Sequence, residues 1–412
     1  MRGLMAHTRI VFISTLSSGS WGGSEELWSR AALALAAEGF DISASYLAWS
    51  PPDPHILNLI RHGVEVWFRP RSYPLRKRVW RRITAAQPIP TWLLLEVKRL
   101  IAARSPQMVV LSDGGPFPPI GLVEMCAAEG SPFVTIGQAN TELWWPADAE
   151  ADRYRTALVG ALRCYFVSNA NRRLAEKQIG CELPNAEIVR NPFNVDFAAS
   201  PPWPSLGRDD ELRFACVGRL EPAAKGQDIL LEALAGPTWA NRNWRLHFYG
   251  NGRNRVALER WAQRLGLAER VVFEGHVMEV EKIWSLNHVL VMPSRFEGLP
   301  LAIIEAMLCG RPVIATDVAG HAEVIENGVT GFLADAPTVE SFGNALERFW
   351  SMREDAREIG AAGAARIRQL VPPDPARVFA DKLKELLAKK ARGRSLCGSA
   401  APLSPLSAHR RS

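Results

Sequence analysis

Residues 294–317 read SRFEGLPLAIIEAMLCGRPVIATD. A Gly298-Leu299-Pro300 turn runs into an apolar helix, and the strand-length PVIATD follows. Pro300 suits the first helical position, because its missing N–H would be unpaired there and its φ is already helical. The first amides of that helix, from Gly298, Leu299, Leu301 and Ala302, then form a ready anion site. Glu305 lies little more than a turn inside an otherwise apolar stretch, so its carboxylate must reach a partner. Its two acceptor oxygens suit paired hydroxyls such as a ribose diol. Glu297 stands in the turn, ahead of the same amides.

Acids beside an anion site repel the anion unless cations offset them. In CVGRLEPAAKGQDILLEAL, residues 216–234, Arg219 directly follows a strand and Gly218, and Lys225 comes six residues later. Arg offers a planar fork and Lys a point charge, which together fit a diphosphate. The residues therefore point to a nucleoside-diphosphate site.

Further out, strand-length apolar runs alternate with helical stretches on both sides of residue 200. RIVFIST (9–15) leads into a glycine loop, LSSGSWGGSE, and a helix in which Leu27, Ala31 and Leu35 recur, with Ser24 as its expected cap. Strands are expected at 42–48, 64–68, 108–112, 132–137 and 164–168, then at 213–220, 244–252, 270–277, 289–294, 312–317 and 331–335. Such alternation implies an α/β fold of parallel sheets covered on both faces. The chain has 412 residues, 47% of them hydrophobic, enough for two cores. The prolines of AASPPWPSLGRDD mark the linker. The expected division is 1–197 for a first Rossmann-like domain, 198–210 for the linker and 211–372 for a second. A helix over 373–392 is expected to cross back to the first domain, and 393–412 is expected to be a disordered basic tail. Two such domains in tandem face each other across a cleft.

The formal charge of +6 favours an anionic partner. Six scattered cysteines show no metal-ligand spacing and read as reduced thiols of a cytoplasmic protein. No run approaches the ~20 apolar residues of a membrane span. Between Arg69 and Arg82, basic residues crowd around Tyr73 and Trp80, an expected contact with an anionic membrane face. Nucleic acid is not an expected partner.

The stretches GRLEPAAKGQDILLEAL, YGNG, RVVFEGHV and the run from Pro293 to Leu333 resemble, in order, the C-terminal half of glycosyltransferase family 4. These are retaining nucleotide-sugar enzymes of GT-B fold. The spacing from Glu297 to Glu305 matches that family's Glu-x7-Glu. The resemblance implies that Arg219 and Lys225 hold the donor diphosphate and that Glu297 faces the donor sugar. It further implies that Glu305 binds the ribose and that the amides of Gly298, Leu299 and Leu301 touch sugar or phosphate. Val277 would border the base, Gly250 would lie in the donor loop, and Gly22 and Gly23 would let backbone approach donor or acceptor. With no Asp-x-Asp in the sequence, no metal and no cofactor beyond the nucleotide sugar are expected. Many relatives carry a histidine near the end of the strand at 132–137, but none occurs here between His62 and His247; Gln138 or Asn140 is nominated instead, with Trp144 stacking on a sugar. The implied activity is transfer of a sugar to a glycan or lipid-linked acceptor in surface polysaccharide or lipopolysaccharide synthesis. The alternatives are a binding-only module and a storage-glucan synthase or phosphorylase of the same fold.

Overall fold

The computed structural model describes residues 8–17, 19–70, 91–205 and 211–397. Two sheets organise the chain, and all their pairings are parallel. The first comprises β1 (Arg9–Ser14), β2 (Asp41–Leu47), β3 (Glu65–Arg69), β4 (Met108–Asp113), β5 (Phe133–Gly137), β6 (Arg163–Phe166) and β7 (Ala186–Ile188), in the order β3-β2-β1-β4-β5-β6-β7. The second comprises β8 (Leu212–Val217), β9 (Trp244–Tyr249), β10 (Val271–Gly275), β11 (Val289–Met292), β12 (Val313–Thr316) and β13 (Gly331–Ala334), in the order β10-β9-β8-β11-β12-β13. Strand β7 has only three half-buried residues, too few to show a period, and the sequence reading passes over it.

The strands are apolar on both faces because helices cover both. In β4, Met108 and Val110 enter one core while Val109 and Leu111 enter the other. In β11, Val289 and Val291 divide from Leu290 and Met292 in the same way. Each sheet reverses its strand order beside its first strand, β1 or β8. Loops leaving neighbouring strands diverge there and open a crevice. Gly22 and Gly23 follow β1, and Arg219 and Lys225 follow β8, so both sets sit at a switch point.

The chain returns to the first domain at its end. The Pro375–Cys397 helix buries Phe379, Ala380 and Leu383 in the core that holds Phe12 and Tyr165. Lys384 pairs with Glu38 and Lys382 with Glu187 along its flank. The helix runs past the expected limit of 392, to Cys397. The rest of the expected tail lies outside the described residues.

Two expectations fail locally. The Gly23–Ala37 helix is capped by Gly22, whose carbonyl takes the Glu25 N–H at 2.9 Å, so Ser24 lies inside it. Arg69 is buried at the end of β3, where its guanidinium donates to the Ser14 carbonyl and, at 3.1 Å, to Ser45 Oγ. It therefore belongs to the interior rather than to a membrane-facing patch, and residues 71–82 of that patch lie outside the described residues. No described helix is long and apolar enough to cross a membrane.

Candidate active site between the two domains

The Leu301–Leu308 helix starts at Pro300, whose ψ of 134° leaves it outside the helix as the N-cap rather than the first helical residue. No side chain caps this start, and no described group accepts the N–H of Gly298, Leu299 or Leu301. Opposite it lies the start of the Gly23–Ala37 helix, likewise without a side-chain cap. A Cβ on Gly23 would stand 3.5 Å from Leu301 Cδ1. One helix N-terminus from each domain thus borders the same space, and both favour negative charge there.

The Lys225 ammonium pairs with Glu297 Oε1, and Ser294 Oγ donates to the same oxygen at 2.9 Å. Lys225 ends a single helical turn, Pro222–Lys225, and Gly226 follows in the left-handed conformation. A Cβ at Gly226 would lie 2.0 Å from the Pro293 carbonyl oxygen, so only glycine lets this turn settle against the strand end before Glu297. The Lys225 side chain passes Gly218, within 3.6 Å of where its Cβ would be. Arg219 stands next to it, half exposed, with Glu221 at 3.6 Å. Both expected cations therefore flank one strand end.

Glu305 is buried, and burial pushes its carboxyl up to about 7 against two Asn194 hydrogen bonds that favour the anion. Those bonds come from Asn194 N–H at 2.9 Å and Nδ2 at 3.1 Å. Arg30 of the first domain in turn holds Asn194 Oδ1 and, at 3.1 Å, the Phe193 carbonyl. The segment connecting the domains thus occupies the oxygen that the sequence reading reserves for a ribose.

The two domains touch at the Glu297–Gly298 backbone. The Glu297 carbonyl accepts from the Asn140 N–H and from Asn171 Nδ2, both at 3.2 Å. Gly298 lies so close to the first domain that a Cβ would be 2.3 Å from the Gln138 carbonyl oxygen. Glu323 closes the contact, accepting from Ala170 N–H at 2.9 Å and pairing with Arg190 at 3.2 Å.

This packing corrects the nomination of Gln138 and Asn140 as sugar contacts. Gln138 exchanges amide hydrogen bonds with Asn191 at 2.6 and 3.2 Å. Asn140 Nδ2 donates to Gln178 at 2.9 Å, and its Oδ1 accepts from Thr141 N–H. Both side chains are buried and directed into protein. Gly137, on the same strand end, would place a Cβ 2.5 Å from the Pro116 carbonyl oxygen, so no histidine fits there. Trp144 remains 41% exposed, its ring edge-on to Phe296 at 5.0 Å. The Gly250 N–H bonds the Gly275 carbonyl at 2.7 Å, and the residue packs on Gly218 beside the Arg219 loop. Val277 packs half-buried against the core of the second domain.

Comparison with known proteins gives this arrangement a family. Residues 211–352 match the glycosyl transferases group 1 family. The second domain belongs to that family. The match covers Arg219, Lys225, Glu297 and Glu305 of the group 1 domain. Among relatives, alpha-D-kanosaminyltransferase of Streptomyces kanamyceticus is 34% identical over 144 residues, 34% of this chain and 37% of that protein. A GDP-mannose-dependent alpha-(1-6)-phosphatidylinositol monomannoside mannosyltransferase of Mycolicibacterium smegmatis is 29% identical over 68% of this chain and 76% of its own length. The chain thus spans little more than a third of the first relative and about three quarters of the second. In three dimensions, Anabaena HepE, solved in complex with UDP, superposes with a TM-score of 0.71 at 20% identity, over 92% of this chain and all of that one. The fold is GT-B.

Several residues of the site gave no sequence signal. Asn194 is an ordinary loop residue until it meets Glu305. Asn171 and Glu323 act across the domain boundary, which no local pattern reveals. His321 is buried beside this cluster, its Nδ1 2.7 Å from the Thr316 carbonyl, so the proton sits on Nδ1. Its Nε2 has no described partner, and burial lowers its pKa and keeps the ring neutral against the pull of Glu297. A single histidine in an apolar stretch reads as core.

Proposed function

We propose that the protein is a glycosyltransferase that moves a sugar from a nucleoside-diphosphate donor to a glycan or lipid-linked acceptor, with retention and without a bridging metal. The observation that carries this reading is the Lys225–Glu297 pair, beside Arg219, in front of a turn where the amides of Gly298, Leu299 and Leu301 have no described acceptor. Cleaving the bond from the anomeric carbon to the diphosphate leaves negative charge on the diphosphate, and fixed donors aimed there lower the barrier.

In this reading, Lys225 exchanges Glu297 for a diphosphate oxygen, and Arg219 takes a second. The released Glu297 carboxylate, still held by Ser294, turns to the sugar hydroxyls. Glu305 accepts from the ribose in place of Asn194. The acceptor hydroxyl attacks the anomeric carbon on the face the diphosphate leaves, and its proton passes to the leaving phosphate oxygen. No protein base is required, which suits a chain with no histidine at the expected strand end. The UDP held by HepE supports a nucleoside-diphosphate donor, and the phosphatidylinositol mannoside named for the mycobacterial relative supports a lipid-linked acceptor of a surface glycan. Such work belongs at the cytoplasmic face of the membrane.

Thermal unfolding of the wild type and of the Arg219→Ala/Lys225→Ala protein with UDP, GDP, ADP and dTDP tests the site. One nucleotide at a hundred times its dissociation constant adds about 2.7 kcal/mol, a shift of a few degrees, to the wild type alone. An equal shift in the double variant would refute the assignment. With the donor identified, the anomeric configuration of the product by NMR tests retention, and turnover unchanged by EDTA tests metal independence.

A further inference from the structure

At the opposite end of the Leu301–Leu308 helix from the Glu297 turn, about 12 Å away along its axis, lies a cavity of about 400 Å³. Its walls are the 199–203 linker, the Leu308–Arg311 corner and one face of the Ala356–Leu370 helix. Three arginines line it, Arg311, Arg357 and Arg368, and none of the described lining residues is an acid.

None of the three forms an ion pair with a described carboxylate, whereas Arg242 pairs with Glu347 and Arg295 with Asp228 elsewhere in this domain. Arg311 is only 2% exposed, and its hydrogen bonds all go to carbonyl oxygens, among them Trp284 at 2.8 Å, Cys309 at 2.7 Å and Pro202 at 2.7 Å. Trp203 stacks over it with the guanidinium 5.0 Å from the ring centre. Arg368 donates to the carbonyls of Phe197, Ala199, Ala364 and Leu308. Carbonyls satisfy N–H groups but carry no net charge, so among the described residues only the partial negative charge of a helix C-terminus offsets the arginines. Burial, with the charge of Arg357 added to it, lowers the Arg311 guanidinium to about 10, which still leaves it charged at neutral pH.

Holding the C-terminal carbonyls of the Leu301–Leu308 helix and the linker accounts for Arg311 and Arg368. It does not account for Arg357, which is exposed and whose side chain makes no hydrogen bond or ion pair with a described residue, nor for the space between the three. Gly310, Ala361 and Ala365 keep that space open. We propose that this cavity binds a phosphate-bearing anion, as a site separate from the one at the Glu297 turn. Guanidinium forks match phosphate oxygens in pairs. A bound anion would bridge the Ala356–Leu370 helix to Arg311 and, through it, to the linker carbonyls of Pro201 and Pro202.

Calorimetric titration of the full chain with inorganic pyrophosphate tests the proposal, using wild type, Lys225→Ala and Arg357→Glu proteins and the double variant. Lys225→Ala cripples the cleft and should retain an Arg357-dependent site. Relative to it, the double variant should bind about tenfold more weakly or worse. Equal binding by Lys225→Ala and the double variant, or no binding by Lys225→Ala, would overturn the proposal. Arg357 is exposed, so an unchanged melting temperature without ligand shows that its variants fold. Flotation with phosphatidylglycerol vesicles, against phosphatidylcholine alone, identifies the source. Arg357-dependent flotation marks a lipid headgroup, and its absence with pyrophosphate binding intact marks a free phosphate compound.

Discussion

Lys225 and Glu297 neutralise each other across the strand end, and sugar transfer requires them to part. Removing Arg219 and Lys225 together takes away two charge-assisted contacts of roughly 1.5–3 kcal/mol each, so turnover should fall on the order of a hundredfold or more. Steady-state kinetics with the identified donor checks this, and an unchanged rate would rule the pair out. Glu305 carries a pH signature. Its carboxyl, like that of Glu25, is raised by burial from 4.5 to about 7. Between those values the folded chain holds a proton that the unfolded chain releases, so stability falls as pH rises through the window and levels off above it. Glu305→Gln should remove its share of that loss, up to about 3 kcal/mol at about pH 8 and little at about pH 5. Urea unfolding at both values measures it, and a pH-independent difference would contradict burial as the cause of the raised pKa.

At the scale of elements, the cleft is held by the first turn of one helix against the turn before another. Glu323 sits at the start of the Asn169–Ile179 helix, where its carboxylate meets a free amide and Arg190, a favourable place for an anion. Glu323→Ala removes a charge-assisted bond worth about 1.5–3 kcal/mol across the domain boundary. The expected outcome is a rise of about tenfold in donor KM with a smaller change in kcat. A fall in kcat alone would show that Glu323 does not set the position of the Glu297 turn. The sequence does not show this meeting, because the partners of Glu323 lie more than a hundred residues away.

Across the whole molecule, the chain passes from the first domain to the second and back, so the returning helix belongs to the first core. Phe379 is fully buried there, its ring edge-on to Tyr165 at 5.1 Å. Phe379→Ala should cost about 3–5 kcal/mol, the usual penalty for emptying such a site. Denaturant unfolding should show the loss in the transition that reports the first domain. A change below about 1 kcal/mol would mean that the helix contributes little to that core.

Local chemistry alone determined the two doubly wound sheets, the Glu297–Leu301 turn and the pairing of Arg219 with Lys225 at one strand end. Strand and helix periods, turn residues and loop cations are written in neighbouring positions, so a linear reading recovers them. It also identified Glu305 as an acid that must have a partner. Tertiary structure decided which partner: Asn194 stands in the place meant for a ribose. It likewise turned Gln138 and Asn140 inward, spent the Gly250 amide on Gly275, buried Arg69 and gathered three arginines around one cavity. Each of these depends on distances between residues far apart in the chain. Packing sets such distances, and no local period encodes them.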